Sequence, residues 1–465
     1  MARRLVVVGA GITGLTAAFE WRQRRPEDEI VVVEAGGRIG GKLDRIALAG
    51  SWYDTGPEAM LARVPDAVAL VERLGLGDRL VRPATTQAAV VLPDGRFPLP
   101  PGTLLGVPTS TEGLDGVLSP AGIARVAAEP ALPPLRSAGD VSVGALLRER
   151  MGDEVVDRLV EPLLGGVYAG RADELSLQAT MPQLAASLST GSVLRAAAAA
   201  RAAGARSRFD RGSPADDPVF VTVADGLGSL PAALLAASRA EVRLQTPAHR
   251  ITRGATGFQV AVGSAVTPEL LAADAVIVTA PASKTARLLA DLAPDAVEPL
   301  RGIPYASTAV VAMAFPGQPV PPGSGLLVPP VTGRLVKGVT VSSAKWPHLA
   351  PGNTTGGHLL VRASVGRYRA EADLQRDDAD LAAAVVADVA DLLQLSRPAP
   401  VDVRVARWGG ALPQYLVGHR DRVAAVRAAV AAVPGLAVAG AAYDGVGLPA
   451  CIRDAVAAVV RLTGV

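Results

Sequence analysis

The sequence predicts an α/β fold with α+β inserts, and three observations predict it. The chain opens on an apolar run, Leu5-Val6-Val7-Val8, that passes directly into Gly9-Ala10-Gly11-Ile12-Thr13-Gly14. A second apolar run, Ile30-Val31-Val32-Val33, ends at Glu34. The same order of strand, glycine and helix returns at the far end: Leu436-Ala437-Val438-Ala439-Gly440 leads to Gly445-Val446-Gly447-Leu448-Pro449. Short unbroken apolar runs read as strands of a parallel sheet covered on both faces. A glycine turn between such a strand and a helix, with an acid about 20 residues on, describes a dinucleotide pocket. Finding this grammar at both ends predicts one discontinuous Rossmann-type domain, with the middle of the chain as insertions that build a substrate chamber.

Each residue of the opening motif has a physical task. Gly9 permits the tight turn, and Gly11 lets the backbone approach a pyrophosphate. Gly14 lets the helix lie close on the sheet, while Ile12 and Thr13 open that helix. Its first amides face the negative phosphates. Glu34 is placed to accept hydrogen bonds from a ribose. The motif alone does not choose between NAD and FAD.

Composition sets the outer bounds. At 465 residues two or three domains are expected, and 49% hydrophobic residues can bury a large interior. Net charge is +2, and no basic stripe with interleaved aromatics is present, which excludes nucleic-acid binding. Lysine stands only at Lys42, Lys284, Lys337 and Lys345, so arginine carries most positive charge. The single cysteine, Cys451, excludes an internal disulfide and fits a reducing compartment. The first strand opens at Leu5, which leaves no room for a cleavable apolar leader, so a cytoplasmic protein is expected. The stretch between Arg301 and Arg334 is uncharged but carries seven prolines, from Pro304 to Pro330, so no spanning helix is expected.

Between the two ends the pattern changes several times. Gly37-Arg38-Ile39-Gly40-Gly41-Lys42 and Trp52-Tyr53-Asp54-Thr55-Gly56-Pro57-Glu58 read as loops, followed by an amphipathic helix near Pro65–Leu74. Residues 86–136 are rich in Pro and Gly with short strands. Helices are expected from Val141 and over the Ala-rich stretch Leu184–Ala203, and the polar stretch Phe209–Pro218 reads as a linker. A helix over Leu230–Ala237, a strand near Glu241–Leu244 and a buried strand over Ala275–Pro281 follow. Residues 305–345 alternate like antiparallel strands, Ala379–Leu393 reads as a helix, and a last helix runs to Leu462. The expected division is 1–85, 216–285 and 406–465 for the nucleotide-binding domain. Residues 86–215 form a mainly helical insert, and 286–405 an antiparallel-sheet substrate domain.

Taken together, these segments resemble the FAD-dependent protoporphyrinogen and coproporphyrinogen oxidases, within the amine-oxidase-like flavoproteins. The glycine fingerprint with Glu34 and Gly37-Arg38-Ile39-Gly40-Gly41 is shared widely among FAD enzymes. Gly56-Pro57-Glu58 passes beside the flavin in such proteins. The segment from Glu161 through Gly165-Gly166-Val167-Tyr168-Ala169-Gly170-Arg171 to Glu174-Leu175-Ser176 is similar to the porphyrinogen oxidase signature. Trp408, Ala411-Leu412-Pro413-Gln414-Tyr415 and Gly418-His419 form another shared segment, and Gly440 through Pro449 with Cys451 is similar to the closing flavin motif. Ala441-Ala442-Tyr443-Asp444 departs from it, because an Asn–Ala-like pair is usual there.

The resemblance implies non-covalent FAD held by Gly9, Gly11, Ile12, Thr13, Gly14, Glu34, Arg38, Gly41, Lys42, Gly56, Pro57, Glu58, Ala248, Trp408, Gly440, Val446, Gly447 and Leu448. Arg38 would add charge-assisted bonds to the pyrophosphate, and Ala248 would lie at the adenine. It implies six-electron oxidation of coproporphyrinogen III to coproporphyrin III, a step of heme biosynthesis, with oxygen as acceptor and peroxide as product. Gly166 and Val167 would line the macrocycle slot, and Arg63 would pair a propionate. No side chain is expected to act as catalyst, since the flavin takes the electrons. No metal is expected, because His249, His348, His358 and His419 lack close ligand spacing. The implied partners are the porphyrinogen, oxygen and a downstream ferrochelatase, with room for peripheral membrane contact. The alternatives are a protoporphyrinogen IX oxidase, an amine- or polyene-oxidising flavoenzyme, an NAD-binding protein, and a tetrapyrrole-binding flavoprotein without turnover.

Overall fold

The apolar runs of the sequence become a five-stranded parallel sheet. The computed structural model describes residues 3–135, 139–210 and 218–464. The strands lie in the order Glu241–Arg243, Glu29–Val33, Arg4–Val8, Ala275–Val278 and Leu436–Val438. Every pairing is parallel, with Leu5 beside Ile30 on one side and beside Ala275 on the other. Successive side chains alternate between two buried layers. Leu5, Val7, Ile30, Val32 and Ile277 face the helices Ile12–Arg24, Leu230–Ser238 and Leu448–Thr463. Val6, Val8, Val31, Val33 and Val276 face a three-stranded sheet over residues 248–273 and the helices Ala282–Leu288 and His419–Ala431. Both faces are covered, which is why these strands read as unbroken apolar runs.

A second, seven-stranded sheet carries the other layer of the molecule. Its order is Asp402–Pro413, Tyr305–Phe315, Leu359–Val365, Val336–Thr340, Gly325–Leu327, Ala88–Leu92 and Gly95–Pro98. All its pairings are antiparallel except that of Gly325–Leu327 with Ala88–Leu92. Helix Asp378–Leu393 covers one face through Leu381, Val385, Val389 and Leu392. Asp377 caps that helix by accepting from the Asp380 amide at 2.8 Å.

Two sequence expectations shift here. Ala88–Leu92 and Gly95–Pro98 form a hairpin of the large sheet, not part of a mainly helical 86–215 segment. Val90 and Leu92 nevertheless pack into the helical core on one side, while Ala89 and Val91 serve the sheet core. Strand Asp402–Pro413 likewise runs straight across the expected division at 405/406. Hydrogen bonds to Tyr305–Phe315 hold it as one strand, and local composition carries no trace of that long-range pairing.

The helical segment runs from Pro120–Ala128 through Val143–Met151, Glu161–Tyr168, Leu177–Thr180 and Pro182–Ser187 to Val193–Asp210. Ser119, Ser142 and Ser176 cap three of these helices. The Ala-rich helix expected over Leu184–Ala203 is broken, because Gly191 turns the chain at φ +75°. A π-helical turn, Val156–Val160, leads into Glu161–Tyr168. Most of the expected Phe209–Pro218 linker lies outside the described residues.

Candidate functional site

A cavity of about 830 Å³ opens at the carboxyl ends of the parallel strands. Ligands of open α/β sheets sit in this position. Gly9, Gly11, Ile12 and Thr13 line it from the opening turn, and Gly440, Val446 and Leu448 from the closing loop. Glu34, Gly41, Lys42, Pro57, Ala248 and Trp408 complete the expected residues that reach it.

The turn is built by close backbone contact. Gly9 sits at φ +107°, and its amide donates to Val33 O at 2.8 Å. A Cβ at Gly14 would stand 1.9 Å from Gly9 O, so only glycine lets the helix rest on the turn. Gly11 precedes helix Ile12–Arg24 and has no side-chain cap, and a Cβ there would meet nothing within 4 Å. The uncapped amides of the first turn therefore face open space in the cavity, where an anion would satisfy them.

Lys42 is half-buried in the same wall, and no carboxylate pairs with it among the described residues. Burial lowers its pKa, the mark of an ammonium stripped of water without an anion in return. The Glu34 carboxylate is fixed in position: Oε2 accepts from the Ala10 amide at 2.8 Å and Oε1 from Gly36 at 2.7 Å. Each oxygen keeps acceptor capacity toward the cavity.

Five expected contacts do not line the cavity: Gly14, Gly56, Gly447, Glu58 and Arg38. Gly14 acts through the packing already described. A Cβ at Gly56 would stand 1.9 Å from Lys42 O, so Gly56 lets the 38–44 loop close against the Asp54–Glu58 turn. Gly447 precedes the last helix and leaves its N-terminus without a side-chain cap. Glu58 turns to Lys345 at 2.8 Å and Arg362 at 3.9 Å. Burial pushes the Glu58 carboxyl up, but the two cations outweigh it and hold it below the usual range.

Arg38, expected at the pyrophosphate, turns to its own loop in the structure. Its guanidinium donates to the carbonyls of Ile39 at 3.1 Å, Leu43 at 3.2 Å and Gly41 at 2.8 Å, and it does not line the cavity. It braces its own loop, whereas Lys42 lines the cavity, as do Lys284, Arg287 and Arg407. The free carbonyls of a tight glycine loop compete for a five-donor group, which spacing alone does not reveal.

The structure also adds residues that the sequence reading passed over. Thr279 Oγ1 donates to Val8 O at 2.9 Å and lines the cavity at the end of its strand. A threonine just beyond a buried parallel strand was the available signal. Asp454 Oδ2 accepts from the Gly440 amide at 2.8 Å and pairs with Arg427. No local pattern marks it. Cys451 reaches the cavity as a buried thiol, its pKa pushed up to about 11 by burial, so it is an inert packing group.

The expected substrate residues lie apart from this cavity. Gly166 and Val167 are exposed on helix Glu161–Tyr168, with Val167 44% accessible. Arg63 is exposed in the turn before helix Pro65–Arg73. A Cβ at Gly165 or Gly166 would meet nothing within 4 Å. His419 is buried with its pKa lowered to about 4 by that burial, so it stays neutral. No group of His, Cys, Asp or Glu among the described residues could hold a metal ion.

Known proteins resemble this chain over nearly its whole length. A coproporphyrinogen III oxidase of Mycobacterium tuberculosis H37Rv is 38% identical, covering 99% of this chain and 97% of that one. The coproporphyrinogen III oxidase of Bacillus subtilis is 34% identical, covering 98% and 97%. A solved structure from Exiguobacterium sp. 255-15, assigned as a protoporphyrinogen oxidase, superposes with TM-score 0.84 at 33% identity over 100% and 99% of the two chains. Putrescine oxidase shares the fold alone, with TM-score 0.69 at 16% identity and full coverage of both chains. The flavin-containing amine oxidoreductase model matches residues 12–463. This chain therefore belongs to the flavin-containing amine oxidoreductase family.

Proposed function

We propose that this chain is a coproporphyrinogen III oxidase that holds FAD non-covalently. The observation that carries the reading is its likeness, over nearly all of its length, to proteins of that name. A cavity of about 830 Å³ suits a large cofactor. The open helix N-terminus at Gly11 and Lys42, which has no carboxylate partner among the described residues, suit its phosphates. Glu34 would take the ribose, Ala248 the adenine side, and Trp408, Gly440, Val446 and Leu448 the flavin side.

When bound, a flavin supplies the two-electron acceptor that no side chain provides, and three rounds reoxidised by oxygen, with peroxide released, account for six electrons. The protein's own residues bind and orient. Gly165 and Gly166 stand mid-helix where alanine would be more stable by about 0.5–1 kcal/mol each, with room for a Cβ at both. That unused stability suits a surface kept flat for a macrocycle. Val167 offers it apolar contact, and Arg63 meets a propionate.

The reading stands or falls on oxygen uptake and the rise of porphyrin fluorescence with coproporphyrinogen III. Protoporphyrinogen IX and a polyamine panel serve as competitors. Activity on amines alone, or no fluorescence rise with either porphyrinogen, would overturn it. Under anaerobic mixing the yellow absorbance should bleach. If it persists, the protein binds tetrapyrrole without turnover. Gly166→Leu should abolish porphyrinogen oxidation while flavin content and Tm hold. Arg63→Ala should raise KM about tenfold, a loss of ~1.4 kcal/mol of uniform binding, and leave kcat nearly unchanged.

The chain has no helix long and apolar enough to cross a membrane among the described residues. We propose a cytoplasmic protein that hands its product to a ferrochelatase. Co-purification of the two proteins tests that hand-over.

A further inference from the structure

The closing loop of the flavin cavity is suspended from one buried phenol. Tyr415 is 1% exposed, and its hydroxyl uses both of its capacities. It donates to Ala441 O at 2.7 Å and accepts from the Gly445 amide at 2.9 Å. The Tyr415 ring stacks on His419, with centroids 3.9 Å apart and planes 15° from parallel. His419 Nε2 lies 3.1 Å from Tyr443 O, a further tie to the same loop. Ala441, Ala442 and Val446 of this loop line the cavity.

The same residue also touches the helix that carries the glycine pair. Its ring lies 5.6 Å from that of Tyr168, the last residue of Glu161–Tyr168. Its carbonyl accepts from the Ser176 amide at 2.7 Å. The neighbouring Gln414, fully buried, donates Nε2 to Tyr168 O at 2.7 Å. Val446 packs against the core that holds Tyr168, Leu164 and Tyr415.

We propose that Tyr415 is a positioning residue that locks the 440–447 loop of the flavin cavity to helix Glu161–Tyr168, so that cofactor and substrate surface keep one fixed relation. The substrate half of this statement rests on the reading of Gly166 as the macrocycle surface. Burial holds the phenol far above its usual pKa, so the hydroxyl keeps its donor proton throughout the working range. A phenylalanine would fill the same space yet leave the Ala441 carbonyl and the Gly445 amide without partners. Misplacing a reacting group by a fraction of an ångström lowers turnover more than binding.

Tyr415→Phe in the flavin-loaded protein tests this. Hydrogen exchange at the 440–447 amides should quicken about tenfold while the parallel strands keep their protection. The flavin absorption band should change shape or position. With coproporphyrinogen III, kcat should fall about tenfold and KM stay within about twofold. Ser119→Ala, which removes a distant helix cap, should lower Tm and move none of these readouts.

Wild-type exchange and spectrum in Tyr415→Phe would overturn the proposal, as would an equal response in Ser119→Ala. If Tyr415→Phe does not fold, the wild-type protein decides: an unprotected Gly445 amide overturns the role, and a protected one supports it. Absent porphyrinogen oxidation in the wild type would sink the functional reading alone, since exchange and flavin spectrum need no substrate.

Discussion

The opening turn, Gly9–Gly14, and the closing loop, Gly440–Leu448, do the same work by different means. Each follows a strand of the parallel sheet, and each delivers a helix without a side-chain cap to one cavity. The opening turn is held chiefly by backbone contact with near neighbours, above all Gly14 against Gly9 O, with side-chain ties from Glu34 to Ala10 and from Thr279 to Val8. The closing loop is held by remote side chains: Asp454 on Gly440, Arg427 on Asp454 and Asp444, and Tyr415 on Ala441 and Gly445. Steric fit among neighbours needs only residue type and spacing. Suspension from remote side chains needs the fold to exist first.

Gly14→Ala should break the opening turn outright. No rotamer removes a Cβ that stands 1.9 Å from a carbonyl oxygen, so the helix must lift from the sheet. A loss of about 4 kcal/mol and of nearly all bound flavin is expected. Flavin content after purification and Tm measure it, and a normally loaded variant would remove the steric account.

Asp454→Asn attacks the closing loop. The amide can still accept from Gly440, but Arg427 loses a buried carboxylate. Breaking a fully buried pair costs about 3–5 kcal/mol. Arg427 is partly exposed and keeps Asp444, so about 2 kcal/mol is expected. Thermal unfolding measures the loss, and partial flavin retention should set this variant apart from Gly14→Ala. Equal loss of flavin in both would mean that the two loops are equally indispensable.

This contrast also explains what could be read in the sequence. The strand, glycine turn, helix and Glu34 were legible because each depends on neighbours within one βαβ unit. The strands at Ala275–Val278 and Leu436–Val438 were legible because burial on both faces leaves unbroken apolar runs. Short strands over 86–136 were legible too, but the place of the 88–98 hairpin in the large sheet was not, since it comes from pairing with Gly325–Leu327. Arg38 and Lys42 were both expected at the cofactor; in the structure Lys42 lines the cavity and Arg38, four residues away, turns to its own loop. Which of two cations enters a cavity depends on loop carbonyls that only the folded chain brings together. The binding role proposed for Gly166 came from family resemblance, and the structure adds that its missing side chain has room to exist.

Lys42→Met sharpens the comparison through pH. The unfolded chain holds the lysine proton up to about pH 10.5, while burial makes the folded, flavin-free protein release it at a lower pH. Between those points the unfolded state binds more protons, so stability of the flavin-free protein rises with pH across that window. Lys42→Met should flatten this slope and raise Tm most at neutral pH. Flavin affinity should move the other way, weaker by about tenfold, near the value of one charge-assisted hydrogen bond. Tm against pH and flavin titration separate the two effects. A flavin-free protein with no Tm gain, or unchanged affinity, would mean that Lys42 is solvated rather than waiting for phosphate.

Thr279→Val carries the smallest expected effect and the sharpest test of the contrast. Its hydroxyl is a side-chain tie on the opening turn, donating to Val8 O at 2.9 Å and reaching Gly9 O at 3.2 Å. Val8 O also accepts from the Thr279 amide at 2.8 Å, so losing the hydroxyl strands no buried carbonyl there. The cost should be about 1 kcal/mol or less, with flavin content unchanged. Tyr415→Phe also removes one hydroxyl, yet it empties both ends of its bridge and should disturb the flavin. If Thr279→Val loses flavin as readily, the opening turn is also held by remote side chains. Its legibility in the sequence would then reflect the glycines alone, and not the forces that keep them in place.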